Sequence, residues 1–100
     1  MRGENKMRIL KYYIPLPGID IYIPLLSKVL SFQMQNGQPV LWVLADDNVT
    51  EDQKYLVHFR YIGTGQEVSK EMLNGKYIGT IQDGMFVWHL FEVNPIVENK

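Results

Sequence analysis

The stretch Lys28-Val-Leu-Ser-Phe-Gln-Met-Gln-Asn-Gly-Gln-Pro-Val-Leu-Trp-Val-Leu-Ala45 decides the fold. Two β-prone runs flank Asn36-Gly37, the strongest short-range hairpin signal a sequence carries. A two-residue type I′ turn needs positive φ at both central residues, which asparagine and glycine tolerate best. Such a turn sets the register. Gln35 faces Gln38, Met34 faces Pro39, Phe32 faces Leu41 and Leu30 faces Val43. One face is then Leu30, Phe32, Met34, Leu41 and Val43, which requires a core. The other face is polar near the turn, with Ser31, Gln33, Gln35 and Gln38, and apolar further down, with Val29, Val40, Trp42 and Leu44. Pro39 has no N–H to donate. In this register its nitrogen points outward, so no strand is expected to pair with that outer edge at residue 39.

Working outward, Arg8 to Leu16 reads as a first strand, stopped by Pro15, Pro17 and Gly18. Ile19 to Ile23 alternates as a short second strand closed by Pro24. Asp46 to Gln53 is a polar loop, and Lys54 to Ile62 is the next strand. Glu67 to Leu73 is the one candidate helix, too short to stand without packing. Lys76 to Gln82 and Met85 to Val93 form a second hairpin around Asp83-Gly84. Its expected register puts Gly79 opposite Trp88, Ile81 opposite Phe86 and Tyr77 opposite Leu90, an aromatic covering a cross-strand glycine. The expected fold is all-β: a small antiparallel β-sandwich or partly open barrel of about seven strands, with at most one short helical turn. Residues 1–6 read as a flexible leader, 7–94 as a single β domain and 95–100 as a tail. Met7 is an alternative start.

Composition narrows the function. The chain has 100 residues, with 10 basic and 11 acidic side chains and a net charge of -1, so no field of one sign drives general nucleic-acid binding. It has no cysteine, hence no disulfide and no thiolate nucleophile or metal ligand. No apolar run approaches the ~20 residues of a membrane helix. These features are read as cytoplasmic, with no membrane and no cofactor.

Candidate chemistry is sparse. His58 and His89 sit mid-strand without metal-ligand spacing, and packed strand histidines are the favoured reading. Asp46, Asp47, Glu51 and Asp52 share only charge with a calcium loop. No serine sits in a nucleophile elbow, so no enzyme is expected. Gly63-Thr64-Gly65-Gln66 is the loop with most potential. Its glycines let backbone amides approach an anion, Thr64 and Gln66 offer oriented polar groups, and Tyr61 offers a ring for stacking. Tyr61, Thr64, Gly65 and Gln66 are therefore the candidate ligand or partner site. Val40, Trp42 and Leu44 form the candidate oligomer interface, with a homo-oligomer favoured unless the N-terminal strands cover Trp42. A short echo also stands out: Arg60-Tyr-Ile-Gly-Thr64 recurs as Lys76-Tyr-Ile-Gly-Thr80. It reads as two strands with similar edge chemistry.

The segments Ser27 to Ala45, Tyr61-Ile-Gly-Thr-Gly-Gln66, Tyr77-Ile-Gly-Thr-Ile81 and Phe86-Val-Trp-His-Leu-Phe-Glu92, with Lys11-Tyr12, resemble a family of short uncharacterised phage and prophage proteins. That family carries a domain of unknown function. The resemblance spans most of the chain from Met7 to Glu92. Members begin near the position of Met7, and often have histidine after Gly-Thr-Gly, where this chain has Gln66. A role needing an imidazole in that loop is thus not expected here. The resemblance implies a phage origin and supplies no catalytic residues. The expected function is a small phage-type binding protein in the host cytoplasm, taking a host protein or a small anionic ligand, including sequestration of a host signalling molecule. A virion or assembly component is the alternative.

Overall fold

The computed structural model describes residues 6–46 and 48–94. The expected leader and tail lie outside these residues, apart from Lys6. Seven strands form two antiparallel sheets: β1 (Met7–Tyr13), β2 (Gly18–Pro24), β3 (Lys28–Gln35), β4 (Gln38–Asp46), β5 (Lys54–Gly63), β6 (Lys76–Asp83) and β7 (Phe86–Val93). A 3-10 turn at Glu51–Gln53 precedes β5, and the short helix α1 (Lys70–Leu73) precedes β6. The first sheet has the order β1-β4-β3 and the second β2-β5-β7-β6. Neither closes into a barrel.

The inward faces share one core. Leu41, Val43 and Ala45 of β4 meet Val57, Phe59 and Tyr61 of β5, Ile81 of β6 and Leu90 of β7. Ile14 is fully buried where the chain leaves the first sheet for the second. Its N–H donates to the Pro39 carbonyl at 3.1 Å and its carbonyl accepts from the Tyr61 hydroxyl at 2.6 Å. The Tyr61 N–H in turn donates to the Pro17 carbonyl at 3.0 Å. One tyrosine thus pins the crossover at two points.

The first hairpin keeps its expected register from Gln35–Gln38 to Ser31–Trp42. Asn36 and Gly37 have φ of 51° and 78°, as a type I′ turn requires. Beyond Ser31 a β-bulge at Leu30 intervenes, so Val29 rather than Leu30 opposes Val43. The bulge reverses the alternation: Val29 packs against the core and Leu30 is left 44% exposed. Pro39 meets the expectation that no strand pairs with the hairpin's outer edge at residue 39. β4 is central, and β1 pairs with its outer edge as far as Tyr13–Val40. The proline stops that ladder rather than leaving the edge bare, because its carbonyl still accepts from Ile14.

The second hairpin turns one residue later than expected. Asp83 pairs with Phe86, so Gly84 and Met85 form the turn. Gly84 has φ 60°, and Met85 is not among the residues of positive φ, the pattern of a type II′ turn with glycine first. The register slides by two residues, which preserves faces and changes neighbours. Ile81 faces Trp88 and Gly79 faces Leu90. A bulge at Ile78 then turns Tyr77 outward, opposite Phe91 rather than Leu90.

Candidate functional site

The Gly63–Gln66 segment is a closed β-turn at the end of β5. The Gln66 N–H donates to the Gly63 carbonyl at 3.1 Å, and the Gly63 N–H donates to the Gln66 side-chain oxygen at 2.6 Å. The Thr64 N–H donates to the Val87 carbonyl at 3.3 Å, tying the turn to β7. Three amides are thus spent on holding the turn. Of the four, Gly65 alone keeps an N–H without an acceptor among the described residues. The multi-amide anion nest expected from the sequence does not form.

Tyr61 stands apart from this loop. Its side chain is 8% exposed, its hydroxyl is spent on Ile14, and burial pushes its pKa well above the ordinary tyrosine value. Its ring meets Phe32 at 6.1 Å between centroids. β5 alternation explains this: residues 57, 59 and 61 share the inward face. A ring beside the loop comes instead from β7. Gly63 pairs with Trp88, and the space where a Gly63 Cβ would stand lies 3.5 Å from the indole ring. Phe86 stacks on Trp88 at 6.2 Å and 26°. Gly63, Thr64, Gln66, Met85, Phe86, Val87 and Trp88 line a cavity of about 330 Å³.

The outward side chain of Thr64 enters a hydroxyl–imidazole network. Its Oγ1 lies 2.7 Å from His89 Nε2. The other ring nitrogen of His89 lies 2.8 Å from the Tyr77 hydroxyl and 3.1 Å from Thr80 Oγ1. Tyr77 and Thr80 also bond each other. A neutral imidazole donates at one nitrogen and accepts at the other, and hydroxyl partners satisfy either tautomer. The strand order β5-β7-β6 places His89 between the two echoed segments, and their terminal threonines hold its two nitrogens. The repeated Tyr-Ile-Gly-Thr was therefore the signal for this cluster, and Tyr77, Thr80, His89, Phe86 and Trp88 are the residues sequence reasoning did not assign to it.

The second expected surface is also placed. Val40 is 2% exposed, while Trp42 and Leu44 are half-buried. They face away from the core beside Tyr13, Lys11 and Ile9, their partners on β1. The N-terminal strand lies next to Trp42 rather than over it. The Lys11 ammonium sits 5.6 Å from the Trp42 ring centroid. Met7, Ile9 and Tyr13 on this face are 51%, 62% and 49% exposed.

The acidic loop uses its groups locally. Asp46 accepts from the Asn48 N–H at 3.0 Å, and Glu51 pairs with Lys54 at 3.4 Å. Asp47 lies outside the described residues. Among those described, no three His, Cys, Asp or Glu side chains come together to hold a metal ion, and no helix is long and apolar enough to cross a membrane.

No curated protein matches the chain, and no solved structure does. A family model described as Domain of unknown function (DUF7352) matches residues 5–100, and the chain belongs to that family.

Proposed function

We propose that the protein is a small binding protein rather than an enzyme, and that its ligand presents a planar ring to the cleft between the Gly63–Gln66 turn and the Phe86–Trp88 pair. The observation that supports this reading is the pairing of exposed apolar surface with oriented polar groups. Phe86 is 66% exposed and Met85 94% exposed, and both line the cavity with Thr64 and Gln66. Sites for small molecules combine apolar walls with a few polar groups in this way. The His89 network serves as a scaffold, since hydroxyls already occupy both ring nitrogens and orient Thr64. The resemblance to phage proteins supports a host molecule as ligand: a small anionic compound with a planar ring, such as a base-bearing signalling molecule. A host protein's aromatic side chain is the other outcome of the test.

The test is native mass spectrometry on protein purified from host cells, with Phe86→Ala and Thr64→Val variants alongside. A retained small-molecule mass that is lost with Phe86→Ala supports the reading, at a cost of about 1–3 kcal/mol for one stacking contact. Folded variants with undiminished binding or phage competition would place the function elsewhere.

A second reading, assembly, rests on the outer face of the first sheet. Trp42 and Leu44, with Met7, Ile9 and Tyr13, form an apolar surface suited to a second copy of the chain, while Val40, expected as part of it, is buried and offers no contact area. Light scattering at about 100 µM, a concentration set by weak-dimer affinities, distinguishes the two. A monomer mass there removes the oligomer.

A further inference from the structure

The outer face of β2 and β5 carries a charged cleft that sequence motifs do not mark. Asp20 on β2 pairs with His58 on β5, and Arg60 follows two residues on, projecting from the same face. Asp20 Oδ1 accepts from Arg60 Nη1 at 2.7 Å and lies 3.0 Å from His58 Nδ1. Arg60 Nη1 also donates to the Phe59 carbonyl at 2.8 Å. The cation and the imidazole therefore converge on one carboxylate oxygen. Asp20 Oδ2, Arg60 Nη2 and Nε, His58 Nε2 and the Glu71 carboxylate have no partner among the described residues. All four side chains line one cavity of about 700 Å³, together with Ser69 and Met72 of the α1 segment and with Val93 and Pro17, which add apolar surface.

We infer that this cleft is a second binding site, for a small zwitterion of amino-acid type. Its charges are mixed, with one guanidinium and two carboxylates. A simple anion meets Arg60 but is repelled by Asp20 and Glu71, and a simple cation meets the reverse. A ligand with a carboxylate and an ammonium a few bonds apart satisfies both. The open side of the guanidinium takes the carboxylate through its planar fork. Asp20 Oδ2 and Glu71 take the ammonium. Met72 and Val93 offer contact to an apolar side chain. The hydrogen bond from Arg60 first, then that from His58, holds the Asp20 carboxyl below the ordinary range, so it is ionised at neutral pH. None of these residues belongs to the turn-and-aromatic cleft, so the inference stands apart from the proposed function.

The experiment is titration of the ¹⁵N-labelled full chain with free leucine, then with the other free amino acids, to about 10 mM, the range of weak small-ligand affinities. N-acetyl-leucine and leucine methyl ester are the controls. Saturable amide shifts at Asp20, His58, Arg60 and Glu71, weakened on the order of tenfold by either derivative, support the site. Arg60→Met and Glu71→Gln should each weaken it similarly. Glu71 is exposed and lies off the strands, so Glu71→Gln keeps the test valid if Arg60→Met does not fold. Thr64→Val should leave the shifts unchanged, which separates this site from the proposed one. No saturable shift with any free amino acid, equal shifts with the derivatives, or shifts confined to Thr64 and Phe86–Trp88 would overturn the inference.

Discussion

The two hairpins, β3–β4 and β6–β7, begin from nearly the same chemistry and end in different registers. Each has an Asx-Gly pair between β-prone runs, and each runs five ladder pairs from its turn before a bulge, at Leu30 or Ile78. In the first, Asn36-Gly37 is the turn; in the second, the turn is Gly84-Met85 and Asp83 is the last residue of β6. Both turn types suit the twist of a hairpin, so turn chemistry alone leaves them close in free energy. Packing decides. A two-residue slide moves β6 by about 6.6 Å along β7. In the observed register Gly79 stands beside the Phe32 ring, with 3.5 Å from the place of its Cβ to the ring edge. The expected aromatic-over-glycine device exists twice with exchanged partners: Phe32 covers Gly79 from the other sheet, and Trp88 lies against Gly63.

The most damaging way to probe this comparison is at Leu90, the partner of Gly79. It is fully buried, so Leu90→Ala should cost about 2–5 kcal/mol in urea denaturation. Trp88→Ala, at a half-buried ring that continues past the core, should cost about 1–2 kcal/mol from lost apolar burial. A Trp88 loss equal to or above the Leu90 loss would restore the Gly79–Trp88 register.

Tyr61 joins the two hairpins, since it pairs with Leu90 and its ring contacts Phe32. Tyr61→Phe keeps the ring and removes the hydroxyl, leaving the buried Ile14 carbonyl without its partner, at about 1–3 kcal/mol. The pH dependence has a definite sign. Burial raises the pKa of Tyr61 in the folded state, so its contribution is complete below the unfolded value near 10 and declines as pH rises above it. The wild type should lose stability above about pH 10 more steeply than Tyr61→Phe. Parallel alkaline profiles would show that the hydroxyl is not buried.

The turns themselves offer a smaller and sharper contrast. Asn36→Ala places a Cβ-bearing residue without a helpful side chain at positive φ and should cost about 1 kcal/mol. Asp83→Ala, in the strand, should stay within about 0.5 kcal/mol, as for ordinary surface changes. Equal losses would return the second turn to Asp83-Gly84.

The smallest effect lies off both hairpins, at Asp20. Its depressed pKa contributes stability that is present above the unfolded value near 3.8 and is lost as pH falls below it. Asp20→Asn should flatten the acid limb of the stability profile and leave the ranking of the hairpin variants unchanged. An unaltered acid limb would mean that the Arg60 and His58 contacts do not persist in solution.

Much of the fold was legible because strand signals are local. Alternating apolar residues, prolines at strand ends and Asx-Gly pairs placed seven strands, six of them within one residue at either end, whereas the first ends at Tyr13, three residues before the expected Leu16. The inward parity of Phe32, Met34, Leu41 and Val43 followed from the first turn alone. Three things were not legible, because each depends on contacts distant in sequence. Strand order was one: β1 joins β4 and β2 joins β5, and a local pattern cannot report such pairings. The bulges were another, since Leu30 and Ile78 look like any other apolar strand residue. The third was the candidate site. Gly63–Gln66 was visible as a loop, yet the ring beside it is Trp88 rather than Tyr61, because β5 alternation turns Tyr61 inward and the β5–β7 ladder brings Trp88 to Gly63. The echoed Tyr-Ile-Gly-Thr was visible as text. That its two threonines hold the same histidine was settled by sheet order, which sets β7 between β5 and β6.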